Sequence, residues 1–184
     1  MPGSSVLIRP ATSRDAERLA LVHVRSWQGA YRGLLPQDYL DGLAPEQRVR
    51  QWRRTLAGSD WPRSGVLVAE NEKLIAFACI GPSRDAAPVQ VGEISSIYVL
   101  PAHWGVGVGT RLMAAALASL RAAGFAEAHL WVLDTNARAI RFYESAGWRA
   151  DGDGKTAEIG GVTITEVRYR CELGAASPPA GSRT

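Results

Sequence analysis

The sequence predicts a mixed domain of the α/β (α+β) class, in which helices flank one central sheet. The predicted elements alternate along the chain as one strand, two or three helices, three strands, a helix, a strand, a helix and two strands. The chain has 184 residues, of which 46% are apolar and 21% charged. That length and composition are ordinary for one globular domain with its own core. We therefore expect a single domain over residues 1–173 and a flexible tail at 174–184.

The N-terminal part is expected to hold a short strand followed by helices. Residues 6–9 form the predicted strand. Apolar side chains then recur with a helical period over 16–31, after a start that resembles a capping box. Two further helices are expected over 36–43 and 45–57, the second because proline suits a first helical turn.

The remainder is expected to supply the rest of the sheet. Further strands are predicted at 65–70, 73–81, 89–100, 128–133, 148–151 and 163–173. Helices are predicted from Thr110 to Ala123 and from Asn136 to Ala146, each ended by a glycine. A Gly/Asp-rich loop is expected between the last two strands.

Charge and cysteine content exclude several classes of function. The net charge is +3 and no Lys/Arg-rich run occurs, so a nucleic-acid partner is not indicated. No apolar span of about 18 residues and no signal-peptide pattern is found, which predicts a cytoplasmic protein without membrane contact. Cys79 and Cys171 fall in separate predicted strands, so we expect neither a disulfide nor a metal site.

A glycine-rich turn within residues 91–148 suggests an anion site. Gly105-Val106-Gly107-Val108-Gly109 lies between a predicted strand and a helix. Backbone N–H groups at a helix start, together with the helix dipole, suit a phosphate or pyrophosphate. The spacing fits neither a nucleoside-triphosphate loop, which needs lysine after the last glycine, nor the dinucleotide pattern G-x-G-x-x-G. A tight turn without a ligand is the alternative.

The whole stretch resembles the GCN5-related N-acetyltransferase (GNAT) superfamily. The resemblance rests on the strand 93–99, the turn 101–109, the segment from Asn136 to Trp148, the opening 8–16 and the ending 165–169. It covers residues 6–173. It implies a mixed, mostly antiparallel sheet of about seven strands flanked by helices. It also implies acetyl-CoA (coenzyme A) as co-substrate.

The resemblance also implies where coenzyme A binds. The expected contact residues are Tyr98, Val99, Leu100, Trp104, Gly105, Val106, Gly107, Val108, Gly109, Thr110, Asn136 and Tyr143. A backbone N–H near Val99 or Leu100 would donate to the thioester oxygen. Trp104 departs from the family, which usually has Gln or Arg there near the pyrophosphate. Asn136 either contacts the pantetheine arm, or caps its helix, or does both.

Two side chains are candidates for proton transfer. Alternation along a strand would place Glu93 on one face with Ser95, Ile97 and Val99. Partial burial would raise the pKa of Glu93, so that it could act as a base through a water. The alternative is a salt-bridged carboxylate. Tyr143 matches the family tyrosine near the sulfur and is the candidate acid, and the alternative is a packed aromatic side chain.

The acceptor site is expected near His23, Trp27 and Tyr31, which share one helix face, although such a stripe also suits a core. The expected function is transfer of an acetyl group to a primary amine of a small molecule, directly in a ternary complex. A protein N-terminal or lysine acetyltransferase stays open, and a non-catalytic acyl-CoA sensor is the rival from another class. A homodimer is expected by analogy.

Overall fold

The computed structural model describes residues 5–85 and 90–174. The predicted tail beyond Gly174 lies outside the described residues. The strands are β1 (Leu7–Pro10), β2 (Gly65–Asn71), β3 (Lys73–Pro82), β4 (Val91–Val99), β5 (Glu127–Leu133), β6 (Arg149–Ile159) and β7 (Val162–Glu172). The helices are α1 (Ala16–Ala30), α2 (Gln37–Asp41), α3 (Pro45–Ala57), α4 (Val108–Ala122) and α5 (Ala137–Ser145).

The seven strands form one sheet in the order β1-β2-β3-β4-β5-β7-β6. Only β4 and β5 run parallel, so the sheet is mixed and mostly antiparallel, which confirms the expected fold. These two strands pair at three positions, of which the last joins Glu93 to His129. Because β4 continues to Val99 and β5 to Leu133, a gap opens between them at the centre of the sheet.

Helices cover both faces of the sheet. The larger core packs α4 and α5 against one face, around fully buried side chains such as Leu112 and Leu120. The second core packs α1 and α3 against the opposite face of β2 and β3, around Leu19 and Phe77. Burying each such side chain contributes about 1.5–3 kcal/mol. None of the helices in the described ranges is long and apolar enough to cross a membrane.

A β-bulge interrupts β4 at Ser95. Two successive residues of β3, Cys79 and Ile80, pair with Ser96 and Ile94, so Ser95 has no partner opposite it. A bulge of this kind inserts one residue and shifts the alternation of side chains by one. Ile94, before the bulge, packs against α4. Beyond the bulge, the residues that face α4 are therefore the odd-numbered ones and no longer the even-numbered ones.

The bulge changes the surroundings of Glu93. Beyond Ser95, Ile97 and Val99 pack with the α4 core, whereas Tyr98 packs with the α1 core. Ile94 points to the α4 core, so its neighbour Glu93 points to the opposite face of the sheet. Tyr98 lies on that same face. The predicted grouping of Glu93 with Ser95, Ile97 and Val99 is wrong, because it assumed an uninterrupted strand.

The last hairpin also differs from the prediction. The sequence suggested a strand over 148–151 and a long loop, but β6 runs without a break to Ile159. The turn consists of Gly160 and Gly161, with φ of 62° and 79°. Two successive positive φ values are typical of a tight two-residue hairpin turn. The register of the β6–β7 pairing shifts between Ala150 and Gly154, and this irregularity accommodates Gly152 and Gly154 within the strand.

A buried ion cluster joins the start of α1 to the edge of the sheet. Asp15 has no exposed surface. Its carboxylate accepts hydrogen bonds from Arg9, Arg18 and the backbone N–H of Thr12, and Arg9 also donates to Glu70 on β2. The hydrogen bonds from Arg9 hold the pKa of Asp15 well below its usual value, although burial opposes them.

We expect Asp15→Ala to lower the free energy of unfolding at pH 7 by about 2 kcal/mol, because it removes the hydrogen bonds from Arg9, Arg18 and Thr12 while Arg9 keeps those to Glu70. Urea unfolding measures the change. Glu17→Ala is the matched control, since its pair with Arg53 is exposed, and it should cost no more than about 0.5 kcal/mol. The lowered pKa of Asp15 stabilises the fold fully above its unfolded value of about 3.9, and this contribution is lost at lower pH. A deficit that persists undiminished in acid would contradict this account.

Candidate active site

A cavity of about 870 Å³ lies where β4 and β5 diverge. Its walls come from both strands, α1, the glycine turn, α5 and the β6–β7 hairpin. Twelve of the predicted site residues line it: Trp27, Tyr31, Glu93, Tyr98, Val99, Trp104, Gly105, Gly107, Gly109, Thr110, Asn136 and Tyr143. The fold therefore brings residues from distant parts of the sequence to one site.

His23 is not among the lining residues. Its ring packs edge-on against Trp27, Trp52 and Phe77, each with its ring centroid 5.7 Å away. Burial lowers the pKa of His23 to about 4, so the ring is neutral at physiological pH. The predicted stripe on α1 is thus divided, since His23 belongs to the core while Trp27 and Tyr31 reach the cavity.

Three predicted coenzyme A residues also lie outside the lining. The backbone N–H of Leu100 is bound to the carbonyl of Ile75, 2.9 Å away, which removes it as a donor to a thioester. The Val106 side chain is 70% exposed at the tip of the turn, and that of Val108 is buried in the core. Val108 therefore offers a ligand only its backbone groups.

The glycine turn has the geometry of an anion site. α4 begins at Val108, two residues earlier than predicted, and its N-cap Gly107 has φ of 83°. Gly105 has φ of 74°, and at both glycines a Cβ would meet no atom within 4 Å, so the space beside the turn is open. The first N–H with an acceptor inside the helix is that of Arg111, which binds the Gly107 carbonyl. The N–H groups before it are free of intrahelical partners.

The exposed edge of β4 offers hydrogen-bonding groups to the gap. The bond from Leu100 to Ile75 fixes which residues of β4 bond to β3. In an antiparallel ladder these alternate, so the backbone groups of Ile97 and Val99 point away from β3 towards β5. The Val99 carbonyl accepts a 2.7 Å hydrogen bond from Nε1 of Trp104. The Val99 N–H therefore remains as the predicted donor.

The ring of Trp104 is in contact with a cationic side chain that the sequence analysis did not predict at this site. The guanidinium of Arg138 lies 3.1 Å from the centroid of the Trp104 ring, a cation–π contact, and both side chains line the cavity. Burial lowers the pKa of Arg138 from its usual value. The only signal in the sequence was the position of Arg138 in the first turn of α5, beside Asn136.

Asn136 has a structural role that the geometry shows directly. Its side-chain oxygen accepts a 3.1 Å hydrogen bond from the backbone N–H of Ala139, which caps α5. The residue is buried yet lines the cavity. The N-cap alternative is thus observed, and it leaves the amide nitrogen of Asn136 for a ligand.

Glu93 is a buried, salt-bridged carboxylate. It is 2% exposed and receives hydrogen bonds from the backbone N–H and the guanidinium of Arg84, the shortest 2.5 Å long. Burial alone would raise the pKa of Glu93, but the bonds from Arg84 outweigh it and lower the pKa. The expectation of a raised pKa is therefore wrong, because no local pattern in the sequence indicates that Arg84 folds back onto the strand.

Three tyrosine side chains meet at the cavity. The hydroxyls of Tyr31 and Tyr98 are 2.8 Å apart and share a hydrogen bond. Tyr143, on α5, packs near Trp148 and Tyr169 with its ring in the main core. Burial raises the pKa of all three cavity tyrosines, so each phenol keeps its proton at neutral pH.

Comparison with known proteins identifies relatives of this chain. The acetyltransferase (GNAT) family matches residues 23–148. The N-acetyltransferase YuaI of Bacillus subtilis is 33% identical over 165 residues, which cover 88% of this chain and 90% of that protein.

Solved structures show the same fold. The PaiA N-acetyltransferase of Thermoplasma acidophilum, solved with coenzyme A, gives a TM-score of 0.70 at 20% identity, over 91% of this chain and 99% of that one. The ribosomal-protein-S18-alanine N-acetyltransferase of Escherichia coli gives 0.66 at 17% identity, over 97% and 100%. The family match and the identity to YuaI settle the relationship: the chain belongs to the acetyltransferase (GNAT) family, whose members are acyltransferases that use acetyl-CoA.

Proposed function

We propose that this protein transfers an acetyl group from acetyl-CoA directly to a primary amine of a small molecule, with both substrates bound at once. The observation that supports it is the single cavity shared by an anion-binding turn, a free strand edge, a buried tyrosine and a buried carboxylate. Each of these groups suits one requirement of amine acetylation.

The residues at one end of the cavity fit coenzyme A. The free N–H groups at the start of α4 suit its pyrophosphate, and the open space beside Gly105 and Gly107 admits a ligand close to the backbone. Arg138 would supply a side-chain donor near the pyrophosphate, in place of the Gln or Arg that the family usually has at the position of Trp104. The backbone of Ile97 and the amide of Asn136 would hydrogen-bond the pantetheine amides. Acetyl-CoA supplies the acetyl group as an activated thioester.

The remaining groups would handle charge and protons. The Val99 N–H points into the gap, where it would stabilise negative charge on the acetyl oxygen. Tyr143 holds a proton at its hydroxyl, which it would give to the departing sulfur. Glu93 is ionised and would accept a proton from the amine through a water, although Arg84 makes it a weaker base than predicted.

Direct transfer is supported by the state of the two cysteines. Both are free thiols, and neither lines the cavity. Burial raises the pKa of Cys79 to about 11 and also raises that of Cys171. A thiol with a raised pKa is a poor nucleophile, so an acetyl-cysteine intermediate is disfavoured. The homodimer and the cytoplasmic location remain expectations from the sequence, the first of which sedimentation would test.

The proposed function is tested by thiol release from acetyl-CoA across a panel of amino acids, simple amines, polyamines, aminoglycosides and short peptides. Acceleration by one class of small amine is the expected result. Acceleration by peptides alone would favour a protein acetyltransferase. Calorimetric binding of acetyl-CoA without acceleration by any amine would favour the acyl-CoA sensor.

The role given to Arg138 predicts a change in cofactor affinity. We expect Arg138→Met to raise the KM for acetyl-CoA about 10-fold with little change in kcat, because one charge-assisted hydrogen bond to a phosphate is lost. Arg141→Met, on an exposed position of the same helix, is the matched control and should leave this KM unchanged. Equal KM values for acetyl-CoA in both variants would show that Arg138 does not bind the phosphate.

A further inference from the structure

The cavity has a second wall, on the face of the sheet opposite α4. Leu130 and Val132 of β5 belong to the α4 core, so the alternating Trp131 points to the opposite face. The same reasoning places Glu166 of β7 there, since its neighbour Val167 packs with the α4 core. Glu93 shares this face because of the bulge in β4. We call it the acceptor wall, because it lies across the sheet from the helix that would hold coenzyme A.

Lys155 is the notable member of the acceptor wall. It belongs to the edge strand β6 and pairs with Glu166, and its side chain is 41% exposed. Its Nζ lies 4.0 Å from the centroid of the Trp131 ring, on a strand two places further in. Neighbouring strands are about 4.8 Å apart, so the side chain reaches inward across β7. Lys155 is thereby directed at the gap between β4 and β5.

Lys155 differs in its hydrogen bonding from two arginines on this face. Arg84 is bound to Glu93 through several hydrogen bonds. Arg168 donates to two aspartates of β6 and is 13% exposed. Lys155 is 3.6 Å from the nearest oxygen of Glu166, which is beyond hydrogen-bond distance. Its ammonium therefore has donors to offer to a ligand.

Apart from Glu166 and the bound pair of Arg84 and Glu93, the rest of this end of the cavity is apolar or aromatic. Trp27 and Leu35 approach it from the helical side, and Leu133 and Ile159 from the sheet. An acceptor bound here would meet an apolar surface and the ammonium of Lys155, which is ion-paired with Glu166 but makes no hydrogen bond to it. An amine that carries a carboxylate and an apolar side chain has the complementary chemistry.

On the basis of the proposed function, we propose that the acceptor is an apolar or aromatic amino acid, whose carboxylate is bound by Lys155. The apolar surface takes its side chain, and its amino group faces the thioester end of the cavity. The new C–N bond forms as the C–S bond breaks, and the amine loses one proton while the sulfur gains one. A peptide N-terminus lacks the adjacent carboxylate and is disfavoured as the acceptor.

Matched acceptors test this proposal: L-phenylalanine, L-phenylalaninamide and 2-phenylethylamine, which share the side chain and the amine but differ at the carboxylate. The wild-type kcat/KM for phenylalanine is expected to exceed those for the other two by about 10- to 100-fold, the range for one charge-assisted hydrogen bond. Lys155→Met should remove most of that preference, and Lys155→Arg should restore part of it.

Two controls separate recognition from a structural role. Lys73→Met alters the other lysine, which is exposed at the start of β3, and should keep the preference. The KM for acetyl-CoA and the Tm of Lys155→Met should match the wild type, whereas a merely structural lysine would lower the Tm and leave the ratio between acceptors unchanged.

The unfavourable outcomes differ in what they overturn. Equal turnover of the amino acid, its amide and the plain amine would overturn this inference while the acetyltransferase function stands. A preference for the amide or for short peptides would also overturn it. Absence of turnover with every amine would overturn the proposed function and this inference together.

Discussion

Tyr143→Phe is expected to lower kcat by about 10²- to 10³-fold, the range for loss of a positioned proton donor. The KM for acetyl-CoA should stay within about twofold, because the variant removes one oxygen and keeps the buried ring. Burial raises the pKa of Tyr143, so its hydroxyl is protonated at neutral pH and can donate, although the raised pKa makes it a weaker acid. Steady-state thiol release against the best amine of the panel gives both constants.

A second buried tyrosine provides the matched control. Tyr169 packs in the same core, 6.5 Å from Tyr143 between ring centroids, but its hydroxyl donates to Glu144 and it does not line the cavity. Tyr169→Phe should therefore change stability by about 1 kcal/mol and leave kcat unchanged. If the two variants lost similar activity, the effect of Tyr143 would be one of packing, and its assignment as proton donor would fail.

The sequence was most informative where local chemistry decides the structure. Positive φ at Gly105 and Gly107 suits glycine, and an anion-binding turn needs both the glycines and a helix behind them. This combination can be recognised within a short segment. Asn136 is similar, because a helix cap depends on residues within one turn.

The sequence was least informative where strands from distant segments decide the structure. The bulge at Ser95 depends on pairing with β3, and a serine within a strand gives no sign of it. Arg84 reaches Glu93 from the loop after β3, and Lys155 of β6 reaches Trp131 of β5 across β7. These contacts set the charge of the site, so the raised pKa predicted for Glu93 could not be corrected without the fold.

Replacing Glu93 tests what its burial and its partner do for the reaction. We expect Glu93→Gln to lower kcat/KM for the amine by about 10²-fold at pH 7, because the amide keeps the shape of the side chain but cannot accept the amine proton. The wild-type carboxylate is ionised at neutral pH, since the bonds from Arg84 hold its pKa low despite burial. Activity that depends on Glu93 should therefore persist down to at least the usual glutamate pKa of about 4.3, as far as the fold survives.

Arg84→Met tests in which direction the acid limb of the pH profile moves when Glu93 loses its partner. Without the guanidinium, burial is the main remaining influence on Glu93 and raises its pKa, so the acid limb of the kcat/KM profile should move towards neutral pH. Arg53→Met, which removes an exposed ion pair far from the cavity, should leave the limb in place. If the Arg84 variant kept the wild-type limb while Glu93→Gln lost activity, Glu93 would act by holding Arg84 and the adjoining loop, and the base would have to be another group. If the limb moves, the same carboxylate titrates and takes part in the reaction, and Arg84 is the residue that sets the pH range of the enzyme.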